Sequence, residues 1–394
     1  MKRACVILLL FFITTACSVV DNVLPEEGAL EEQLNKKVLI IDELLSVEDT
    51  LSLYFSTLYQ SYLDLEYTDI SSLFNMELLS SKNTLAYYQN LILRRQVIDE
   101  LKLFFVEKEE KPYSINIESM PDDERMDVFS SHNVIGGYDE LVHFTIRGDN
   151  SHAYPPFMSL NSQHTMALKK IDGVLKVVFH YFVGSSRLRG SEELKVLSID
   201  EMKEEVLSVI KEPQIYSNLE IPDIAHSYKS EQAKEYAIKH LDNPNSIFYK
   251  VDDWMGNCAN YTSQAVWYGF VDKENGYNSV RDYMTRQWYA GAGGGLPSWE
   301  NVEVFWQYVT IKKSSKQEGI HGYIIDSVKD VDIGDIVQIR SNKLRGTNEK
   351  FSHNLLVIDK EKLVLAQNSP NSLVCYADLE GVDFRFFRPV YLIK

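Results

Sequence analysis

Cysteine is scarce in this 394-residue chain: four residues, at positions 5, 17, 258 and 375. They are too few and too scattered for a disulfide framework or a cysteine-rich zinc site. Positive charge is also short, with 40 Lys+Arg against 57 Asp+Glu and a formal net charge of −17. A chain this acidic lacks the basic surface that phosphate recognition needs, which argues against nucleic acid as a partner. No stretch approaches the roughly 20 apolar residues of a spanning helix, so a polytopic membrane protein is excluded. Internal repeats and low-complexity tracts are absent. What is present is 45% apolar, 25% charged and 12% aromatic residues, the profile of a folded globular protein. At about 150 residues per domain, the length points to two domains.

Lys2 and Arg3 precede an unbroken apolar stretch from Val6 to Ile13, and Thr14-Thr15-Ala16 then lead to Cys17. A charged start, a short apolar run and small residues before a cleavage point form an export signal over residues 1–17. The last four of these residues resemble a bacterial lipobox, in which the cysteine after the cut carries a diacylglyceryl group. That resemblance implies Cys17 as a lipidated N terminus, although Thr14 stands where the pattern prefers an aliphatic residue. The expectation is an extracytoplasmic protein held to the membrane by a lipid anchor, with plain secretion as the alternative. Residues 18–37, with Asp21, Glu26, Glu27, Glu31 and Glu32, are expected to be an acidic, solvated tether.

Residues 38–190 are expected to form a first module. Its first part is helical, with Leu51, Tyr54, Leu58 and Tyr62 recurring at three and four residues. Beyond Pro112 come short segments rich in Val, Ile, Phe and Tyr: Tyr113–Ile117, Met126–Phe129, Leu141–Ile146, Thr165–Ile171 and Leu175–Phe182. Asp172-Gly173 between the last two marks a hairpin. Helices followed by an antiparallel meander make an α+β module, with weak resemblance to cystatin-like or nuclear-transport-factor-like domains. Histidines 132, 143, 152, 164 and 180 show no metal-type clustering and are assigned ordinary roles. Residues 191–225 contain an acidic amphipathic helix and then a linker marked by Pro213 and Pro222. A second domain spans 226–394.

The sharpest local feature is Trp254-Met255-Gly256-Asn257-Cys258-Ala259-Asn260-Tyr261-Thr262-Ser263-Gln264. Gly256 breaks the chain and a helix can start behind it. Cys258 then sits at a helix N terminus, where the positive end of the dipole stabilises a thiolate. Cys375 lies in the strand-like segment Ser372–Tyr376 and suits an inert apolar position, a disulfide between the two being the competing possibility. A nucleophilic thiol needs a base and the base an orienting group. His353 opens a strand-like run, and a hairpin centred between Lys360 and Glu361 pairs it with Asn368. Paired Cβ atoms are roughly 4.5–5.5 Å apart, close enough for the amide to hold the imidazole, though a one-residue slip would turn a partner away. Cys258, His353 and Asn368 are thus the candidate catalytic set. Trp288 and Trp299 are candidates for lining a substrate groove, with an aromatic core as the competing reading. Gly293-Gly294-Gly295 lacks a strand–helix context and is taken as a turn. His321 is a weaker alternative base.

The second domain resembles a bacterial amidase-domain family of papain-like cysteine hydrolases related to NlpC-type cell-wall enzymes. The family's Gly-Asp-Cys-Thr-Asn-Phe-Val-Ser-Gln block is matched at Gly256, Cys258, Asn260, Ser263 and Gln264. It departs at Asn257, Ala259, Tyr261 and Thr262. Asn245 with Phe248, Trp288-Tyr289, Ser298-Trp299 with Val302, Gly334-Asp335-Ile336-Val337 and finally His353 follow in the family's order. Where the family carries a second histidine before Thr or Ser, this chain has Asn368-Ser369.

The resemblance implies hydrolysis of an amide bond by Cys258, His353 and Asn368, without metal or cofactor. Peptidoglycan or its peptides would be the substrate of an exported enzyme of this kind. A non-catalytic cell-wall-binding lipoprotein and a cysteine acyltransferase are the alternatives. Oligomeric state is not legible.

Overall fold

A computed structural model describes residues 37–39, 41, 45–106, 113–116, 137–148, 163–182, 192–211, 219–249, 256–274, 284–341, 350–368, 371–379 and 381–394. The expected signal, Cys17, the tether up to residue 36, the Met126–Phe129 strand, His132 and His152 lie outside the described residues. The chain divides into two compact units, and both mix helices with antiparallel sheet, an α+β organisation. Among the described residues no helix is long and apolar enough to cross a membrane.

The first unit runs to Met202, apart from Leu101–Phe105. Its helix α1, Val47–Asp64, starts at Ser46, whose Oγ accepts from Asp49 N at 3.1 Å, with Glu48 and Asp49 in the first turn. Leu51, Tyr54, Phe55, Leu58 and Tyr62 form its buried stripe. Helix α2, Leu79–Glu100, follows. The sheet has strands β1 Tyr113–Asn116, β2 Glu140–Gly148, β3 Gln163–Ile171 and β4 Val174–Phe182, antiparallel in that order. The β3–β4 turn is the expected Asp172-Gly173, at φ 53° and 86°, both in the left-handed region that a tight hairpin turn requires. His164 and His180 are buried structural groups: His180 Nε2 lies 2.9 Å from His164 Nδ1, and its Nδ1 lies 3.1 Å from Tyr54 Oη. Burial holds the His180 imidazole well below its usual pKa, and the neighbouring His164 adds to the shift.

The second unit comprises Leu101–Phe105 and Lys203–Lys394. Helix α3, Ile199–Leu207, crosses the boundary between the units. Then come α4 Ser230–Lys239, α5 Cys258–Val271, the single turn α6 Pro297–Glu300 and α7 Val302–Thr310. Strands β5 Gly319–Ile325, β6 Ile336–Ser341, β7 His353–Asp359, β8 Val364–Gln367, β9 Ser372–Cys375 and β10 Val382–Ile393 complete the elements. The sheet order is β5-β10-β6-β7-β8-β9, with His226–Ser227 also pairing with β10. The Gly334-Asp335 block has a physical reason. Gly334 sits at φ 83°, and a Cβ there would come within 2.6 Å of Ser230. Asp335, 1% exposed, pairs with Arg388 of β10 at 2.6 Å.

Two segments expected elsewhere are built into this unit. Phe104 packs edge-on against Tyr376 at 5.3 Å, and Phe105 N donates to Glu361 O at 3.0 Å. Val206 is fully buried and Val209 O accepts from Val328 N at 3.2 Å. A buried Val contributes about 1.5–3 kcal/mol, and each kcal/mol moves the melting point of a unit this size by roughly 2–4 °C. A chain starting at Lys203 should therefore melt about 5 °C above one starting at Asp223, as read by calorimetry. Equal melting points would mean that α3 adds nothing to the fold.

Candidate active site

Helix α5 opens on Cys258. Gly256 turns the chain at φ 77°, which glycine adopts without strain, and the first intrahelical bond runs from Tyr261 N to Asn257 O at 2.9 Å. Asn257 occupies the N-cap position, yet its side chain makes no capping hydrogen bond. Its Nδ2 donates instead to Asn368 Oδ1 at 3.0 Å, and its Oδ1 accepts from Asn260 Nδ2 at 2.8 Å. The cap side chain is therefore turned away from the N–H groups of the first turn.

Cys258 is buried at 6% exposure and packs with Ala259, Val302 and Phe351. Burial alone pushes its thiol up. The charge of His353, a hydrogen bond from His353, and the backbone N–H groups of Asn354 and Ala259 outweigh that, and the thiol is held below its ordinary value. For His353, burial pulls the imidazole down, but the Cys258 charge, the bond to Cys258 and a bond to Gln367 carry it above its ordinary value. Opposite shifts on two touching groups favour the thiolate–imidazolium form over the neutral pair.

The imidazole is held from its far side by Gln367: Nε2 and Oε1 are 2.8 Å apart. Gln367 Nε2 donates to Ser372 Oγ at 2.8 Å, which sets the amide with its oxygen toward the ring. That leaves Nδ1 of His353 as the nitrogen for the thiol.

Gln367 takes the place expected of Asn368, and the register explains why. The β7–β8 hairpin pairs Leu355 with Gln367 and Asp359 with Val364, with a bulge between Val357 and Asp359. Leu363 is in the left-handed region at φ 44°. This bulged turn slips the pairing by one residue from the symmetric hairpin. His353, Leu355 and Gln367 then share a face, and the long Gln side chain spans the diagonal. Asn368 lies just past the end of β8 and bonds Asn257 and Asn371 instead.

The tryptophan groove is also corrected. Trp288 and Trp299 are both 0% exposed and pack against each other at 4.6 Å between centroids, tilted by 38°. Trp299 Nε1 donates to Asn260 Oδ1 at 2.8 Å; both rings are core. His321 stacks on Tyr391 at 4.4 Å and its Nε2 lies 2.7 Å from Gln317 O, so it does not serve the thiol. Cys258 and Cys375 are not joined in a disulfide. Gly294-Gly295 pair with Ala290-Gly291 in a small hairpin. Among the described residues no group of three or more His, Cys, Asp and Glu is placed to hold a metal ion.

The matched block residues now acquire reasons. Asn260 Nδ2 donates to Tyr249 O at 2.8 Å as well as to Asn257, while Asn260 Oδ1 accepts from Gln264 Nε2 at 3.0 Å as well as from Trp299. Gln264 Oε1 accepts from Tyr236 Oη at 2.9 Å, and Tyr236 Oη accepts from Asn245 Nδ2 at 3.0 Å. Ser263 Oγ donates to Trp299 O at 2.9 Å. A buried polar network thus fastens the first two turns of α5 to α4, α6 and the Asn245–Tyr249 segment.

Residues 227–383 match the model of a family described as a putative amidase domain. The matched segment contains Cys258, His353 and Gln367, and it supports an amide-hydrolysing domain. No curated protein and no solved structure matches the chain.

Proposed function

We propose that the amidase domain is a papain-like cysteine hydrolase using Cys258, His353 and Gln367, carried by an exported lipoprotein and acting on peptidoglycan. The observation that carries the chemistry is the contact between the Cys258 thiol and the His353 imidazole, with its opposite pKa shifts. The thiolate attacks an amide carbonyl. The carbonyl oxygen turns to the N–H of Cys258 at the helix mouth, where developing negative charge is stabilised by the dipole and by a preorganised donor. Imidazolium His353 gives its Nδ1 proton to the departing amine. Neutral His353 then takes a proton from water, and the hydroxide frees the acyl group from sulfur. Gln367 acts through the ring, holding its plane and tautomer.

The amide bond class rests on the match at 227–383; the cell-wall substrate rests on the export signal. Mass spectrometry of peptidoglycan fragments tests both. The intact protein should create new amine and carboxylate termini, and Cys258→Ala should create none. Unchanged fragments from a protein whose thiol still alkylates would favour the cell-wall-binding alternative, and fragments joined to an added amine would favour acyl transfer. The anchor has its own test. Cys17→Ser should release the protein from the membrane fraction, and unchanged retention would remove the lipid anchor.

A further inference from the structure

The chain that leads into His353 is held by a side chain rather than by a strand. β6 continues to Ser341 beside β10, whereas its register with β7 stops at Ile339–His353. Ser352 N still reaches Ile339 O at 3.1 Å. One residue earlier, Phe351 N donates to Glu303 Oε1 at 2.7 Å. A carboxylate accepting a backbone N–H makes a bond about twice as strong as a neutral pair. Glu303 is itself fixed in the first turn of α7, where the cap Asn301 Oδ1 accepts from Glu303 N and Val304 N, both at 3.1 Å. The same carboxylate oxygen lies 3.1 Å from Arg385 Nη2, with the two side chains only 27% and 18% exposed. Arg385 Nε donates to Gln338 Oε1 at 2.7 Å, and Gln338 Nε2 returns to α7 at Val302 O, 2.9 Å away. α7, β6 and β10 are thus closed into one polar ring that carries Glu303.

Phe351, the residue this ring holds, meets both members of the thiol–imidazole pair. Its side chain packs with Cys258, Ala259 and Val302, with Arg385 Cζ 4.0 Å and Arg340 Cζ 5.0 Å from the ring centroid. Its main chain runs through Ser352 into His353. We infer that Glu303 is a positioning residue: by holding the Phe351 N–H, its carboxylate sets the path of the chain into β7 and keeps the His353 imidazole against the Cys258 thiol. The inference rests on the thiol–imidazole reading and adds to it the group that places the base. Displacing a reacting group by about 1 Å can cost roughly 10²-fold, so a single bond this close to the base has a measurable effect.

The test is iodoacetamide labelling of the full-length protein across pH, read by peptide mapping at Cys258. At pH 6 Glu303→Ala should label at least fivefold more slowly than the parent, with its profile moved to higher pH. Glu303→Gln keeps an oxygen for the Phe351 N–H and should stay within twofold. The direction separates position from charge. Removing a carboxylate near a thiolate, with nothing else moved, would lower the thiol's pKa and speed labelling at pH 6. A merely structural Glu303 would lower the melting temperature and leave the profile of the folded protein in place. Faster or unchanged labelling of Glu303→Ala, or a Glu303→Gln as slow as Glu303→Ala, overturns the positioning role and leaves the Cys258–His353 pair standing. Should Glu303→Ala lose its cooperative melting transition, Glu303→Asp, one methylene shorter, decides by the same criterion, with labelling at least threefold slower expected. A parent protein whose Cys258 labels no faster than Cys375 at pH 6 removes the pair itself, and the role of Glu303 with it.

Discussion

Iodoacetamide at pH 6 should label Cys258 at least tenfold faster than Cys375, and His353→Ala should erase that advantage. An ordinary cysteine titrates near ~8.5 and active-site environments bring it to roughly 3.5–7.5. Above its pKa the thiol is ionised, so a lowered pKa moves the rise in labelling to more acidic pH. Burial is the largest single influence on Cys258, and it acts upward. Once His353 is gone, the N–H groups of Asn354 and Ala259 are left to oppose it, and the profile should move above that of a free cysteine. Each unit of displacement is tenfold in thiolate at a fixed acidic pH.

If the proposed mechanism holds, the upper limb of the activity profile should belong to His353. Its raised pKa means that the imidazolium needed by the leaving amine persists to a higher pH than in a free histidine, and activity falls as pH rises through that value. His353→Ala should cost about 10²–10⁴-fold in kcat. Gln367→Ala should move the labelling profile to higher pH, whereas Asn368→Ala should leave it in place. Peptide mapping across pH, with each variant, is the measurement. A Cys258 profile indifferent to His353→Ala would break the pair.

The pairing of Cys258 with His353 was legible because each carries a local signal: a glycine break before a helix-forming run, and a histidine at the head of a β-rich run. The side chain that holds the His353 ring was not. Its position depends on a bulge and a left-handed Leu363 inside the hairpin, and one slipped residue exchanges Asn368 for Gln367. The alternation on β7 does carry a trace of the answer, since Gln367 shares a face with Leu355 and His353. The β3–β4 hairpin of the first unit was found because Asp172-Gly173 pins its turn. The tryptophans were ambiguous for a different reason: an aromatic in a groove and one in a core have the same local sequence, and burial is a property of the whole domain. Residues 101–105 were placed with the first module because they continue a helical pattern, while their packing partner Tyr376 lies some 270 residues further along.

Asn260→Leu should be among the most destabilising substitutions in the second unit. The side chain is 2% exposed and makes four hydrogen bonds, to Tyr249 O, Asn257 Oδ1, Gln264 Nε2 and Trp299 Nε1. Leucine has a similar volume, so little cavity is created, but each partner loses its bond. Trp299 suffers most, because its ring is fully buried between Trp288 and Phe248 and its Nε1 cannot turn to water. An orphaned buried group costs about 1–3 kcal/mol. If two of the four partners stay unsatisfied, the loss is roughly 4 kcal/mol, a large part of a typical domain's 5–15 kcal/mol. The melting temperature should fall by roughly 10 °C. Asn260→Asp separates hydrogen bonding from shape. It keeps the acceptor for Trp299 and Gln264 but turns both donated bonds, to Tyr249 O and Asn257 Oδ1, into oxygen–oxygen contacts in a buried site. It should therefore destabilise as well, and less at acidic pH, where a protonated carboxyl regains one donor. Urea unfolding of the three proteins at pH 5 and pH 8 reads both effects. If Asn260→Leu unfolds within 1 kcal/mol of the parent, the network is not what fastens the helix that opens on Cys258.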